Sequence, residues 1–171
     1  MNPRNTAADL ATIDYPNGTP DVGYTFDRRG RRVGISDGVG NHTLTYNDAG
    51  QLLTDITIGG PMLNRVLVSN TYDALLRRTG LQASNSDIYT TQTFSYDAAS
   101  RLASVGLQPT ALSPQPLSVD YSYLPNSSLP ATLTFKTGAT TRMTTTKSWD
   151  NLNRLVSVNS VNPVNSVSSS A

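Results

Sequence analysis

Phe94-Ser95-Tyr96-Asp97-Ala98-Ala99-Ser100-Arg101-Leu102 reads as strand, turn, strand. Phe94 and Tyr96 stand two apart, so an extended chain points both rings to one face. Asp97 follows at once, and its short carboxylate accepts a hydrogen bond from a backbone N–H two residues on, which fixes a type I corner. Arg101 and Leu102 then restart an extended run. The stretch is a hairpin unit.

The unit recurs. Phe26-Asp27 leads to Gly30-Arg31, and Tyr46-Asn47-Asp48 leads to Gly50-Gln51. Tyr72-Asp73 leads to Leu76-Arg77, Tyr96-Asp97 to Ser100-Arg101, and Trp149-Asp150 to Asn153-Arg154. A worn copy lies at Tyr121-Ser122-Tyr123. The anchor aromatics fall roughly 20 to 27 residues apart, a period that marks a repeat architecture. A type I turn followed by one left-handed residue makes the bulge that keeps a hairpin correctly twisted. Gly30 and Gly50 occupy that place without steric cost, and Asn153 tolerates it. Ser100 and Leu76 would each lose about 1–2 kcal/mol there. The sequence therefore predicts a different turn at Leu76 and near-ideal ones at Gly30 and Gly50.

This aromatic-Asp-x-x-Gly-Arg-Leu unit resembles the YD repeat of the bacterial RHS-repeat proteins, over residues 13 to 158. Arg31, Arg77, Arg101 and Arg154 hold the matching place. The departures are Asn47 before Asp48, Gln51 for Arg, Leu76 and Ser100 for Gly, and Trp149 for Tyr. The resemblance implies a strip of hairpins that, in the family, spirals into a hollow shell enclosing a toxin domain. It implies as partners further YD repeats or an enclosed toxin domain of a longer chain. The implied setting is secretion or the bacterial cell surface. Nothing in the chain resembles the core segment that follows the family's repeats, nor a toxin domain. These few repeats read as a stretch of a longer array.

Composition agrees with an all-β chain. Charged residues are 15%, well under the usual quarter, and Ser, Thr and Asn fill the difference. Such a chain suits strands and turns. A net charge of +1 gives no basis for nucleic-acid binding. With no cysteine there is no disulfide scaffold or thiolate zinc site. No apolar run approaches a membrane span, and the first residues lack a signal-peptide layout. We divide the chain into a loose segment 1–12, a hairpin array 13–158 and a low-complexity tail 159–171. The expected fold is all-β, with consecutive antiparallel hairpins in one long, twisted, curling sheet.

No catalytic constellation is visible. His42, the only histidine, is read as a solvent-facing turn residue. One His and no Cys leave a transition-metal site short of ligands. Asp27, Asp48, Asp73, Asp97 and Asp150 recur at one place in each unit, which argues that they hold turns and are not a glycosidase pair. The arginines are expected to lie over a neighbouring Tyr or to pair with a turn Asp one strand away. The leading expectation is a non-catalytic structural module without cofactor. The alternative is a carbohydrate-binding or adhesion module that reads cell-surface glycans with exposed Tyr and Arg.

Overall fold

A computed structural model describes residues 4–5, 8–59, 65–85, 89–108 and 115–163. It is 62% strand and 1% helix, with thirteen strands in sequence order in one antiparallel sheet. The chain divides into two compact units, Met1–Tyr89 and Thr90–Ala171. The first contains β1 (Thr12–Ile13), β2 (Val22–Phe26), β3 (Arg32–Asp37), β4 (Gly40–Tyr46), β5 (Leu52–Ile58), β6 (Val66–Tyr72) and β7 (Arg78–Ser84). From the boundary onward come β8 (Tyr89–Tyr96), β9 (Leu102–Leu107), β10 (Leu117–Tyr123), β11 (Pro130–Thr137), β12 (Thr140–Trp149) and β13 (Leu155–Val161).

The anchor aromatics end β2, β4, β6, β8, β10 and β12. At each of them the ladder slips by one residue: at Thr25/Phe26, Thr45/Tyr46, Thr71/Tyr72, Ser95/Tyr96, Ser122/Tyr123 and Ser148/Trp149. This is the bulge that a type I turn plus a left-handed residue produces. Gly30 (φ 74°) and Gly50 (φ 85°) are left-handed as expected. Leu76 (φ 63°) and Ser100 (φ 61°) are left-handed too, so the different turn expected at Leu76 is not found. The reason is local. Asp73 ties the corner down through the N–H groups of Leu75 and Arg77, and the Leu76 N–H donates to the Asp73 carbonyl at 3.0 Å. Bonds on both sides of residue 76 hold a conformation its own Cβ disfavours.

Two segment boundaries move. Within 1–12, Arg4 bridges to Leu10 and the Asn5 N–H donates to the Asp9 carbonyl at 2.9 Å. The Ala8 N–H donates back to the Asn5 carbonyl at 3.0 Å, and Ala8 has φ 66°. These bonds match those of the repeated corner. At the other end β13 runs past 158, pairing Asn159, Ser160 and Val161 with Thr146, Thr145 and Thr144. Residues 60–64 and 109–114 and the tail beyond 163 lie outside the described residues.

The sheet is a single layer. No hydrophobic residue is buried among those described, and the buried side chains are polar: Thr57, Asn70 and Thr145. Alternation still sorts the faces. In the second unit Phe94, Val105, Val119, Phe135 and Met143 stand opposite one another across β8 to β12. Ser95, Ser104, Asp120, Thr134 and Thr144 line the row beside them on the other face. The period-2 pattern thus makes one greasy and one hydroxyl-rich side of this unit, with no helical layer over either among the described residues.

Leu76 is 54% exposed, so its side chain contributes little packing. Leu76→Gly should raise stability by about 0.5–1 kcal/mol, the left-handed penalty less the added backbone entropy of glycine. Gly50→Leu should lower it by a similar amount. Urea midpoints at constant m-value measure both.

Candidate functional site

The feature that repeats is the corner, and it is built from one carboxylate. In the second unit, Asp97 Oδ1 accepts the N–H of Ala99 and of Arg101, both at 2.9 Å. Its Oδ2 accepts Arg101 Nε at 2.7 Å. Main-chain bonds from Asp97 N–H to the Arg101 carbonyl and from Ser100 N–H to the Asp97 carbonyl, each 2.9 Å, close the loop. Asp27 does the same with Arg29 and Arg31, Asp73 with Leu75 and Arg77, and Asp150 with Leu152 and Arg154. The arginine therefore pairs with the aspartate of its own turn, four residues back, and not with one a strand away. All four carboxyls are held below their ordinary pKa. The backbone N–H of the arginine is the largest cause at Asp27, Asp97 and Asp150, and the guanidinium bond is the largest at Asp73.

Asp48 does not belong to this set. It is an exposed turn residue, and Asn47 takes the corner. Asn47 Oδ1 accepts the Gln51 N–H at 2.8 Å, and Asn47 Nδ2 donates to Gln51 Oε1 at 2.8 Å. An amide pair replaces the ion pair with the same shape. The two departures from the repeat, Asn47 and Gln51, are one coordinated exchange. Asn5 and Asp9 make another: Asp9 N–H donates to Asn5 Oδ1 at 2.9 Å, and Asn5 Nδ2 donates to Asp9 Oδ2 at 3.1 Å. At Leu124 the corner has no carboxylate, and the turn there closes one residue later, from Leu124 N–H to the Leu129 carbonyl.

Neighbouring corners are linked through their aromatics. Tyr46 Oη donates to the Arg32 carbonyl at 2.6 Å, Tyr72 Oη to Leu52 at 3.0 Å and Tyr123 Oη to Leu102 at 2.7 Å. Trp149 Nε1 donates to the Pro130 carbonyl at 2.9 Å, so the indole replaces the phenol as donor. Each acceptor is the residue just past the previous turn. The return link comes from the turn arginine or its stand-in. Arg31 reaches the Asn47 carbonyl at 3.2 Å, Gln51 reaches Leu76 at 2.6 Å, and Arg101 reaches Ser127. Arg31 lies 4.8 Å above the Tyr46 ring, and Arg101 lies 4.4 Å above Tyr123. The Tyr123 phenol is pushed above its ordinary value, first by burial and then by Asp97, with Arg101 opposing.

Sequence reasoning missed a third position. A Ser or Thr immediately precedes every anchor: Thr25, Thr45, Thr71, Ser95, Ser122 and Ser148. Thr45 pairs with Thr54 at 2.6 Å, Ser95 with Ser104 at 2.7 Å and Ser148 with Ser157 at 2.6 Å across the hairpin. At Thr25 the partner is Gly34, where a Cβ would sit 2.4 Å from the Thr25 hydroxyl.

His42 is not in a turn. It lies in β4, half-buried, opposite Thr57 and in line with Tyr24 and Ile35. Its Nδ1 is 3.2 Å from Asp55 Oδ1 and 3.1 Å from Thr57 Oγ1, and its Nε2 is 3.9 Å from Asp37 Oδ2. A Ser-His-Asp type relay needs nucleophile and carboxylate on opposite ring nitrogens. Here the Thr57 hydroxyl and Asp55 share Nδ1, and the Asp37 carboxylate facing Nε2 lies beyond hydrogen-bond distance. No group of three or more His, Cys, Asp or Glu fit to hold a metal occurs among the described residues.

No protein-family model and no curated protein matches the chain. Among solved structures, the crystal structure of TcdB2-TccC3-TEV is similar over 94% of this chain, at 14% identity and a TM-score of 0.50. The fold is that of an RHS/YD-repeat strip. This strip spans 11% of the length of that chain. The crystal structure of TcdB2-TccC3 without hypervariable C-terminal region overlaps 90% of the strip at 12% identity and a TM-score of 0.32.

In the strip, the carboxyl pKa values lie lower folded than unfolded. Their contribution to stability is therefore complete above the unfolded value, about 3.9, and is lost as pH falls through the lower folded range. Urea midpoints should be flat from pH 7 to 5 and drop below pH 4. Asp97→Asn and Arg101→Gln should each destabilise, and the double variant should recover most of the loss by adopting the Asn47–Gln51 pairing. Tyr123→Phe removes the donor to Leu102 and should cost about 0.5–1.5 kcal/mol in chemical denaturation.

Proposed function

We propose that the chain is a non-catalytic structural module: wall material of YD-repeat sheet whose work is to enclose or display another domain. The observation that carries this reading is the single layer. The Phe94–Met143 row borders an apolar groove of about 320 Å³, lined among others by Val105, Leu107, Leu117, Val119 and Phe135. An apolar sheet face without a packed layer above it is a surface made to be covered. Four of the carboxylates, Asp27, Asp73, Asp97 and Asp150, are dispersed along the strip, each engaged in its own corner. Sheet whose corner carboxylates and aromatic donors are spent on its own backbone fits enclosure better than turnover.

By the resemblance to RHS-type toxins and surface proteins, the covered object would be a toxin or effector domain, and the place of action outside the cell or on its surface. The glycan-binding alternative receives no support from the anchors. Tyr46, Tyr72, Tyr123 and Trp149 spend their polar atoms on neighbouring carbonyls, and Arg31 and Arg101 occupy ring faces a sugar would need.

The reading is tested by two measurements on the purified chain. An environment-sensitive apolar dye should bind saturably, and Val119→Thr with Phe135→Thr should cut its affinity at least about fivefold. Glycosidase, esterase and phosphatase assays should stay at buffer level. Turnover that disappears on changing a single side chain would overturn the proposal.

A further inference from the structure

Tyr15-Pro16-Asn17-Gly18-Thr19-Pro20 joins β1 to β2, and every residue of it is exposed. Asn17 is the only asparagine of the chain that is followed by glycine. Asn5 and Asn47, by contrast, hold corners, with both the oxygen and the nitrogen of each side chain engaged. At Asn17 only the oxygen is engaged: the Thr19 hydroxyl donates to Oδ1 at 2.9 Å. Neither Asn17 Nδ2 nor the Gly18 N–H has a partner among the described residues. Gly18 has φ 78°, and nothing lies within 4 Å of where its Cβ would stand.

These are the parts of an intramolecular acyl transfer. A hydroxyl on the amide oxygen draws charge away from Cγ, as an oxyanion donor does. The N–H one residue on is the nucleophile, and the chain itself keeps it near that carbon. Glycine puts no side chain beside the attacking nitrogen. We infer that Asn17-Gly18 is a site of spontaneous covalent modification, deamidation through a succinimide. Solvent base takes the Gly18 N–H proton as the bond from Gly18 N to Asn17 Cγ forms. The Cγ–Nδ2 bond then breaks, and the nitrogen leaves as ammonia with a proton from water. Water opens the ring at Cγ to give aspartate, or at the Asn17 main-chain carbonyl to give isoaspartate. The net change is one water consumed and one ammonia released, without oxidant or cofactor.

The position gives the product a structural effect. β1 meets β2 through two register pairs, Thr12↔Gly23 and Ile13↔Val22, and through the Tyr24 N–H, which donates to the Ala11 carbonyl at 2.8 Å. Across the turn the Tyr15 N–H donates to Asp21 Oδ1 at 2.8 Å. Isoaspartate lengthens the main chain of this turn by one carbon and adds a negative charge between Asp14 and Asp21. Conversion of this one amide therefore loosens β1 from β2 and leaves the later hairpins as they are.

The test is incubation of the full chain from neutral to mildly alkaline pH, then peptide mapping with electron-transfer fragmentation, which tells aspartate from isoaspartate. Conversion should appear at Asn17 ahead of the other asparagines and should run faster as pH rises. Thr19→Val should slow it about fivefold, the worth of one hydrogen bond. Thr19→Ser, which keeps the hydroxyl, should convert at the wild-type rate. The folded chain should also convert faster than a free peptide copying residues 15–21, in which nothing holds Thr19 on the amide, and this comparison needs no variant. In the isoaspartyl product, hydrogen exchange should speed up at the Tyr24 amide and not at the Asp97 amide of the second unit. Earlier conversion at another asparagine would overturn the assignment. So would a Thr19→Val chain that converts at the wild-type rate, or a folded chain no faster than the peptide. Unchanged exchange at Tyr24 in the isoaspartyl product would overturn the loosening of β1.

Discussion

The strip depends on one short side chain satisfying backbone donors that a tight corner would otherwise leave to water. A carboxylate oxygen two bonds from Cβ reaches the N–H groups two and four residues ahead while the residue's own N–H is tied to the carbonyl four ahead. Asp27, Asp73, Asp97 and Asp150 do this with charge, and Asn5 and Asn47 accept the N–H four residues ahead without it. Shape is therefore the requirement, and charge an addition. Once the corner is set, the bulge follows, and with it the side to which each aromatic turns.

The second level of order is the exchange between successive corners. An aromatic hands a hydrogen bond back to the carbonyl past the earlier turn, and an arginine or glutamine hands one forward. Both acceptors are main-chain atoms, so the links tolerate drift in side-chain identity. Trp149 for Tyr and Gln51 for Arg keep them. This explains how a strip with no buried hydrophobic residue among those described holds its register. Direction and pairing come from polar contacts repeated along the chain, as in other architectures where each unit touches only its neighbours.

Much of this was legible in the sequence because the informative residues are local. Aromatic, aspartate and arginine fall within a few residues of one another, and the period-2 pattern names the faces. The errors share a cause. Leu76 was judged by its own conformational preference, but Asp73 decides its conformation from outside. Asp48 was aligned by residue type when Asn47 held the position by geometry. The corner at Asn5–Asp9 went unread because amide-for-carboxylate and carboxylate-for-guanidinium exchanges hide it from a search for Asp and Arg. His42 looked like a loop residue from its Asn and Gly neighbours, yet pairing with β5 carries it into a strand. The Ser or Thr before each anchor was visible all along, but hydroxyls are so common in this chain that only the cross-strand pairs reveal their meaning.

That no hydrophobic residue is buried among those described has a thermodynamic consequence. The heat-capacity rise on unfolding comes mostly from apolar surface newly wetted, and an ordinary domain contributes about 12–15 cal/mol/K per residue. A lone sheet whose apolar side chains are already partly hydrated has less to wet. Its stability curve should be shallow, changing little between cold and warm conditions, and its enthalpy of melting should vary weakly with temperature. Covering the greasy face would steepen the curve, so calorimetry distinguishes a bare sheet from a covered one.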